Sequence, residues 1–317
     1  FSHVCSVEIV ELLMDAGASP HVSCQSGYQN SPYPLLHQVF KKRWEVAEAM
    51  LKRYPDIIDL RESPTEEEPH PCYTAMQACA VNGDVEGLRL CHRYKADHQL
   101  VAPDGNNALM LAAYIDSEES VDFILQLGCD TNVQDKDGDT ALIYATYHGN
   151  YKLVESLLNH KADPSITNHA GITPIWNAVF SRSLMSVKHL LMFNVDPTRP
   201  SRGQNIHGYV EDGNYIYDEP VSPLFVAIHL ENLSIIKSLT AAGCYLQAEK
   251  FGIPNFDMYV EHWSEENKRW LQHVTSRPPS LLWWCKRVVR KLLPVKCLHI
   301  TNELPIPSHL KSYIQES

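Results

Sequence analysis

The sequence has no excess of positive charge: 38 acidic side chains stand against 27 basic ones, for a formal net charge of −11. Proteins that grip nucleic acid usually present a basic face to the phosphates, so this balance points away from nucleic acid as a partner. No apolar stretch reaches the ~20 residues that a membrane-spanning helix needs, and no secretory signal peptide is legible, so no membrane partner is expected. The chain starts at Phe1, without Met and partway through a repeat, which is the pattern of a fragment. Cysteine is present but unpatterned. Cys5, Cys24, Cys72, Cys79, Cys91, Cys129, Cys244, Cys285 and Cys297 are odd in number, form no CxxC pair and mostly sit within apolar runs. They read as small reduced hydrophobes of an intracellular protein. The chain also lacks a phosphate-cradling glycine loop, a metal-spaced cluster and a nucleophile beside a base. Neither a cofactor nor an enzyme activity is therefore expected.

With 44% apolar residues in 317, the chain can bury a substantial core, and the arrangement of that core is written in a repeat. Thr74-Ala75-Met76, Asn107-Ala108-Leu109, Thr140-Ala141-Leu142 and Thr173-Pro174-Ile175 follow one another at intervals of 33 residues. Asp97, Asp130, Asp163 and Asp196 keep the same step, as do Gly105, Gly138 and Gly171. A 33-residue period implies a turn and two helices, stacked side by side. Asp-Gly at 104–105 and 137–138 suits a tight turn with positive φ. Thr173-Pro174 sets a capping hydroxyl before a proline at the first helical position. Val154, Leu157 and Leu158, like Val187, Leu190 and Leu191, mark the apolar stripe of each second helix.

These columns, as in DGDTALIYATYHGNYKLVESLLNHKADPS, resemble the ankyrin repeat family. Looser copies lie at 33–60 and 222–247, and half a copy opens the chain, which makes about seven repeats over residues 1–250. Two insertions interrupt the period, near 62–69 and near 199–218. The first carries Glu66-Glu67-Glu68 and reads as a solvated loop. The second reads as two alternating runs about Asp212-Gly213, a hairpin displaying Tyr209, Tyr215 and Tyr217. That finger is either a partner contact or a surface elaboration. Aligned units place Phe40, Val81, Tyr114, Tyr147, Phe180 and His229 in one column, late in each first helix. In the resembled family this position often faces the binding groove. Phe40, Tyr114, Tyr147 and Phe180 are therefore candidate substrate contacts, the alternative being that they pack between adjacent first helices. His37 stands near the family's structural, loop-bonding histidine, while His160, His169 and His262 show no partner in the sequence.

From 251 to 277 the repeat fades into helically spaced apolar residues interrupted by SEEN at 264–267, read as one broken or two short helices that cover the end of the stack. Pro278-Pro279 breaks the chain, and a last segment, 278–317, begins. Ser280 can cap a helix with Leu281, Trp284, Cys285, Val288 and Leu292 on one face and Leu282, Val289 and Leu293 on a second, ended by Pro294. Such a helix has too much apolar surface for one contact, so one side requires a partner. In LPIPSHLKSYI, Pro305 and Pro307 hold Leu304 and Ile306 extended, and a short helix with Leu310, Tyr313 and Ile314 follows.

This order at the C-terminus resembles the SOCS box, and its pairing with ankyrin repeats resembles the ankyrin repeat and SOCS box family over essentially the whole chain. The resemblance implies an all-α ankyrin solenoid followed by a helical SOCS box. It also implies that Leu281, Trp284, Cys285, Val288 and Val289 bind elongin C, which carries elongin B. Trp284 stands where Leu is usual, and Lys286 replaces a common Arg. Leu304, Pro305, Ile306, Pro307, Leu310 and Tyr313 match the cullin-binding half in the form associated with cullin-5 and its RING partner. The expected function is a non-catalytic substrate receptor of a ubiquitin ligase, working in the cytoplasm or nucleus on an unidentified protein. The alternative is a scaffold whose box is only a structural cap.

Overall fold

The computed structural model describes residues 6–19, 35, 38–39, 41–61, 72–193, 195–201, 222–244 and 263–275. The described residues are helical, and they fall into two compact units, Phe1–Tyr144 and Ala145–Ser317. The first unit holds α1 (Val7–Asp15), α2 (Trp44–Arg53), a 3-10 turn at Pro55–Asp59, α3 (Ala75–Val81), α4 (Val85–Arg93), α5 (Ala108–Tyr114) and α6 (Glu118–Gln126). The division falls within α7 (Ala141–His148). The second unit holds α8 (Tyr151–Asn159), α9 (Pro174–Phe180), α10 (Leu184–Met192), α11 (Pro223–His229), α12 (Leu233–Ala241) and α13 (Glu265–Thr275).

Within each unit the packing follows the repeat. In the first, α3 lies against α5 and α4 against α6, first helix on first helix and second on second. In the second, α9 packs on α11, α8 on α10, and α10 on α12. First helices are short and enclosed: Ala108 through Ala113 are all buried, and so are Pro174 through Val179. Second helices are amphipathic. Leu153, Val154, Leu157 and Leu158 form the buried stripe of α8. On α10, Val187 and Leu190 are buried while Leu191 is only partly covered. Each fully buried aliphatic side chain of this kind contributes about 1.5–3 kcal/mol.

The repeated polar residues act locally. Thr74, Asn107 and Thr173 are N-caps whose side chains accept from the backbone N–H groups of Gln77, Met110 and Trp176. Thr74 and Gln77 complete a reciprocal capping box. Ser222 accepts from Phe225 N–H ahead of Pro223, so the cap-then-proline arrangement of Thr173-Pro174 returns after the long insertion. The capping residues also join neighbouring repeats. Asn107 Nδ2 donates to Asp130 O at 3.2 Å, and Gln77 Nε2 donates to Leu100 O at 2.8 Å. The aspartate column makes one recurring turn. Asp97, Asp130, Asp163 and Asp196 each accept from the backbone N–H two residues on, at 2.8–3.0 Å.

Gly105, Gly138 and Gly171 have φ of 92°, 79° and 76°, as their turn position requires. A second column of positive φ joins the two helices of each repeat, at Lys42, Gly83, Asp116, Gly149, Arg182 and Glu231. Four of those six positions carry a side chain, so glycine content does not reveal the column. Cys72, Cys79, Cys91, Cys129 and Cys244 are buried free thiols. Cys129 and Cys244 donate to carbonyls of the preceding repeat, His98 O and Pro197 O. In the SEEN interruption, Ser264 Oγ accepts from Asn267 N–H at the start of α13, so the break in the pattern is a helix start. Lys237 of α12 lies over the Trp270 ring of α13, 5.9 Å from its centre. The insertion at 62–69, Asp212-Gly213 with its flanking runs, and 278–317 lie outside the described residues.

Candidate protein-docking surface

Of the candidate contact residues, Tyr114, Tyr147 and Phe180 are described. Phe40, Tyr209, Tyr215 and Tyr217 lie outside the described residues. So do the elongin-side group Leu281, Trp284, Cys285, Val288 and Val289, and the cullin-side group Leu304, Pro305, Ile306, Pro307, Leu310 and Tyr313.

In the first unit, Tyr114 is the last residue of α5 and 57% exposed, although the six residues before it are buried. Its ring meets Tyr144 edge-on, with centres 5.4 Å apart. Tyr144 is itself held by its hydroxyl, which donates to Asp135 Oδ2 at 2.5 Å. The other oxygen of Asp135 accepts from the backbone N–H groups of Asp137 and Asp139 at 2.9 and 2.8 Å. One buried carboxylate thereby fixes both the hairpin tip and the tyrosine beside it. One repeat earlier, Tyr73 donates to Asp104 Oδ2 at 3.3 Å, while Asp104 Oδ1 accepts from Asn106 N–H at 3.0 Å. Charged acceptors of this kind make the stronger class of hydrogen bond.

Both hydroxyls hold their protons far above the ordinary tyrosine range. For Tyr144 the causes are burial, then the bond to Asp135 and the nearby charges of Asp135, Asp139 and Asp137. For Tyr73 they are burial, then Asp104, with Tyr114 close enough to add to the effect. Tyr73, Tyr114 and Tyr144 therefore share one neighbourhood, edged by the carboxylates of two hairpin tips. Sequence reading named only Tyr114 of the three. A tyrosine in the turn before a capping threonine, as at Tyr73, is the signal that could have added another.

In the second unit, Tyr147 is 51% exposed and meets His148 edge-on at 5.5 Å. Phe180 behaves differently. It stacks on Trp176 with centres 5.5 Å apart and planes 11° from parallel, and it is half-buried. The column thus divides: Tyr114 and Tyr147 are displayed, and Phe180 packs on its own helix. Farther along, Tyr151 stacks on His189, whose Nε2 is 3.8 Å from Glu155. His160 is bonded through Nδ1 to Ser156 O of its own helix, which supplies the partner the sequence did not show. His229 is held below the ordinary histidine range by burial.

Among the described residues no group of three or more His, Cys, Asp or Glu side chains could hold a metal ion, and no helix is long and apolar enough to cross a membrane. The described surface offers rings, hydroxyls and carboxylates that a partner could contact.

Comparison with known families finds ankyrin repeats, three copies, over residues 75–168 and 109–201, and a SOCS box over 277–315. An ankyrin repeat protein of Fowlpox virus (strain NVSL) is 26% identical over 130 residues, which are 41% of this chain and 16% of the viral protein. The chain thus spans about a sixth of the length of that curated relative.

Proposed function

We propose that this chain, whose ankyrin repeats ahead of a SOCS box are the architecture of the ankyrin repeat and SOCS box family, is the substrate-recognition subunit of an elongin B/C–cullin ubiquitin ligase. The observation that carries this reading is the co-occurrence of the two modules, a protein-binding repeat stack and a ligase-recruiting box, in one chain. The repeats capture a protein and the box recruits elongin C with elongin B, then a cullin whose RING partner delivers ubiquitin. The receptor supplies no chemistry of its own. It raises the effective concentration of substrate lysines near the charged conjugating enzyme.

Three finer assignments belong to the same reading. Leu281, Trp284, Cys285, Val288 and Val289 make the elongin contact. Leu304-Pro305-Ile306-Pro307, with Leu310 and Tyr313, favours cullin-5. Tyr114 and Tyr147 support capture, being rings exposed on first helices; Phe40, Phe180 and the tyrosines of the 199–218 insertion remain secondary candidates. The place of action is the cytoplasm or nucleus.

The test is co-expression with elongin B and C. The wild-type chain should co-purify with both, and Leu281→Asp should abolish this while leaving the helical circular dichroism of the repeats unchanged. Absence of wild-type binding, or full binding by Leu281→Asp, would make the box a structural cap and the chain a scaffold. Titrating the purified complex with cullin-5 and, separately, cullin-2 decides the scaffold.

A further inference from the structure

The chain's negative charge is unevenly placed. Residues 96–144 carry ten acidic side chains and a single basic one, Lys136, against a net charge of −11 for all 317 residues. Most of the acidic excess therefore lies in two adjacent repeats of the first unit, the repeats that hold Tyr114 and Tyr144. Asp137 is exposed at one hairpin tip, and Asp104 is half-exposed at the tip before it.

We propose that the Tyr73–Tyr114–Tyr144 face of the first unit binds an arginine-bearing segment of the captured protein. This rests on the receptor reading above and gives it a substrate class. A guanidinium matches the face in two ways. It is planar and stacks on a tyrosine ring, and Tyr114 offers a ring that is 57% exposed. It also carries several N–H donors in a fork suited to carboxylates, which the two tips supply. The Tyr144 hydroxyl is already bonded to Asp135, and the Tyr73 hydroxyl to Asp104, so the rings are held in place before any ligand arrives. Little side-chain freedom is then left to lose on binding. An ammonium group has the charge without the plane and fits less well. An acidic segment meets a repulsive field.

The test uses the full chain purified with elongin B and C, and fluorescein-labelled hexa-arginine, hexa-lysine and hexa-glutamate peptides read by fluorescence anisotropy. Hexa-arginine should bind more tightly than hexa-lysine and weaken with added salt, and hexa-glutamate should not bind. Tyr114→Ala and Asp137→Asn should each weaken hexa-arginine about two- to fivefold, and the double variant about tenfold. Glu119→Gln with Asp122→Asn, which removes two carboxylates from α6 instead, should change it less than twofold. The proposal is overturned if hexa-arginine does not bind, if hexa-lysine binds equally well, or if the α6 pair weakens binding as much as the site pair. Elongin co-purification of the same preparations separates the two ideas: its loss sinks the receptor reading, while peptide affinity reports only on this face.

Discussion

Gly105 offers a measurement of how closely consecutive repeats approach one another. Its φ is +92°, and a Cβ built there would lie 2.5 Å from Asp135 Cα and 2.8 Å from both Asp135 C and Lys136 N. All three are backbone atoms of the next hairpin, so no rotamer change relieves the contact. The hairpin is pinned where it stands: Lys136 N–H donates to Asp104 O at 3.0 Å, and Asp135 carries the bonds to Asp137, Asp139 and Tyr144. Gly105→Ala must therefore both strain its own backbone and displace the neighbouring tip.

Gly128 separates these two costs. Its φ is +80°, and an added Cβ there meets nothing within 4 Å. Gly128→Ala carries only the dihedral cost, about 1–2 kcal/mol. Gly105→Ala adds displacement of a bonded hairpin, for a total of about 3–5 kcal/mol. Urea denaturation of both variants and wild type, followed by far-ultraviolet circular dichroism, gives the two shifts. Repeat stacks need not melt as one unit, so midpoints and slopes are compared together. Intrinsic tyrosine fluorescence should change for Gly105→Ala alone, because the Tyr144–Asp135 bond sits on the displaced tip. Equal losses for the two alanines would refute the reasoning, since close approach would then contribute nothing.

Asn107→Ala removes both the cap to Met110 and the link to Asp130, and should cost about 2–3 kcal/mol; Asn107→Ser keeps the cap and should recover about half, read by the same denaturation. Tyr144 keeps its proton in the folded chain well above the ordinary tyrosine range. Its stabilisation is thus fully present below the unfolded-state value of about 10 and is lost as pH rises past it. Urea midpoints should fall between pH 9 and pH 11 for wild type, and fall less for Tyr144→Phe. Leu281→Asp should release elongin B and C without moving either midpoint.

The features legible in the sequence are those that act within a few residues of themselves. A capping Thr or Asn bonds the N–H three residues on, and an Asp in the turn bonds the N–H two residues on, so each leaves a mark at a fixed offset in the four repeats that keep the 33-residue step. The Asp column could be seen without its mechanism because the period alone exposes it. The second positive-φ column was hidden because Lys42, Asp116, Arg182 and Glu231 occupy it as readily as Gly83 and Gly149. There the geometry is imposed by the packing of two helices, and the residue tolerates it. The bond of Tyr144 to Asp135 was equally hidden, since it joins a hairpin tip to a helix face nine residues away.

The aromatic column shows where register stops being informative. Tyr114, Tyr147 and Phe180 occupy equivalent positions, and register alone predicts one fate for all three. Four residues before each, on the same helical face, stand Met110, Ile143 and Trp176. Only Trp176 offers a flat partner, and only Phe180 folds down onto its own helix, where it is half-buried. An aliphatic neighbour at that distance gives Tyr114 and Tyr147 nothing to stack on, and a phenol keeps water company more cheaply than a phenyl ring. Display at this column is thus decided by the residue four places back together with the ring's own hydroxyl. Trp176→Ala should accordingly free Phe180, while Met110→Trp should draw Tyr114 down and close the face that the arginine-bearing segment needs.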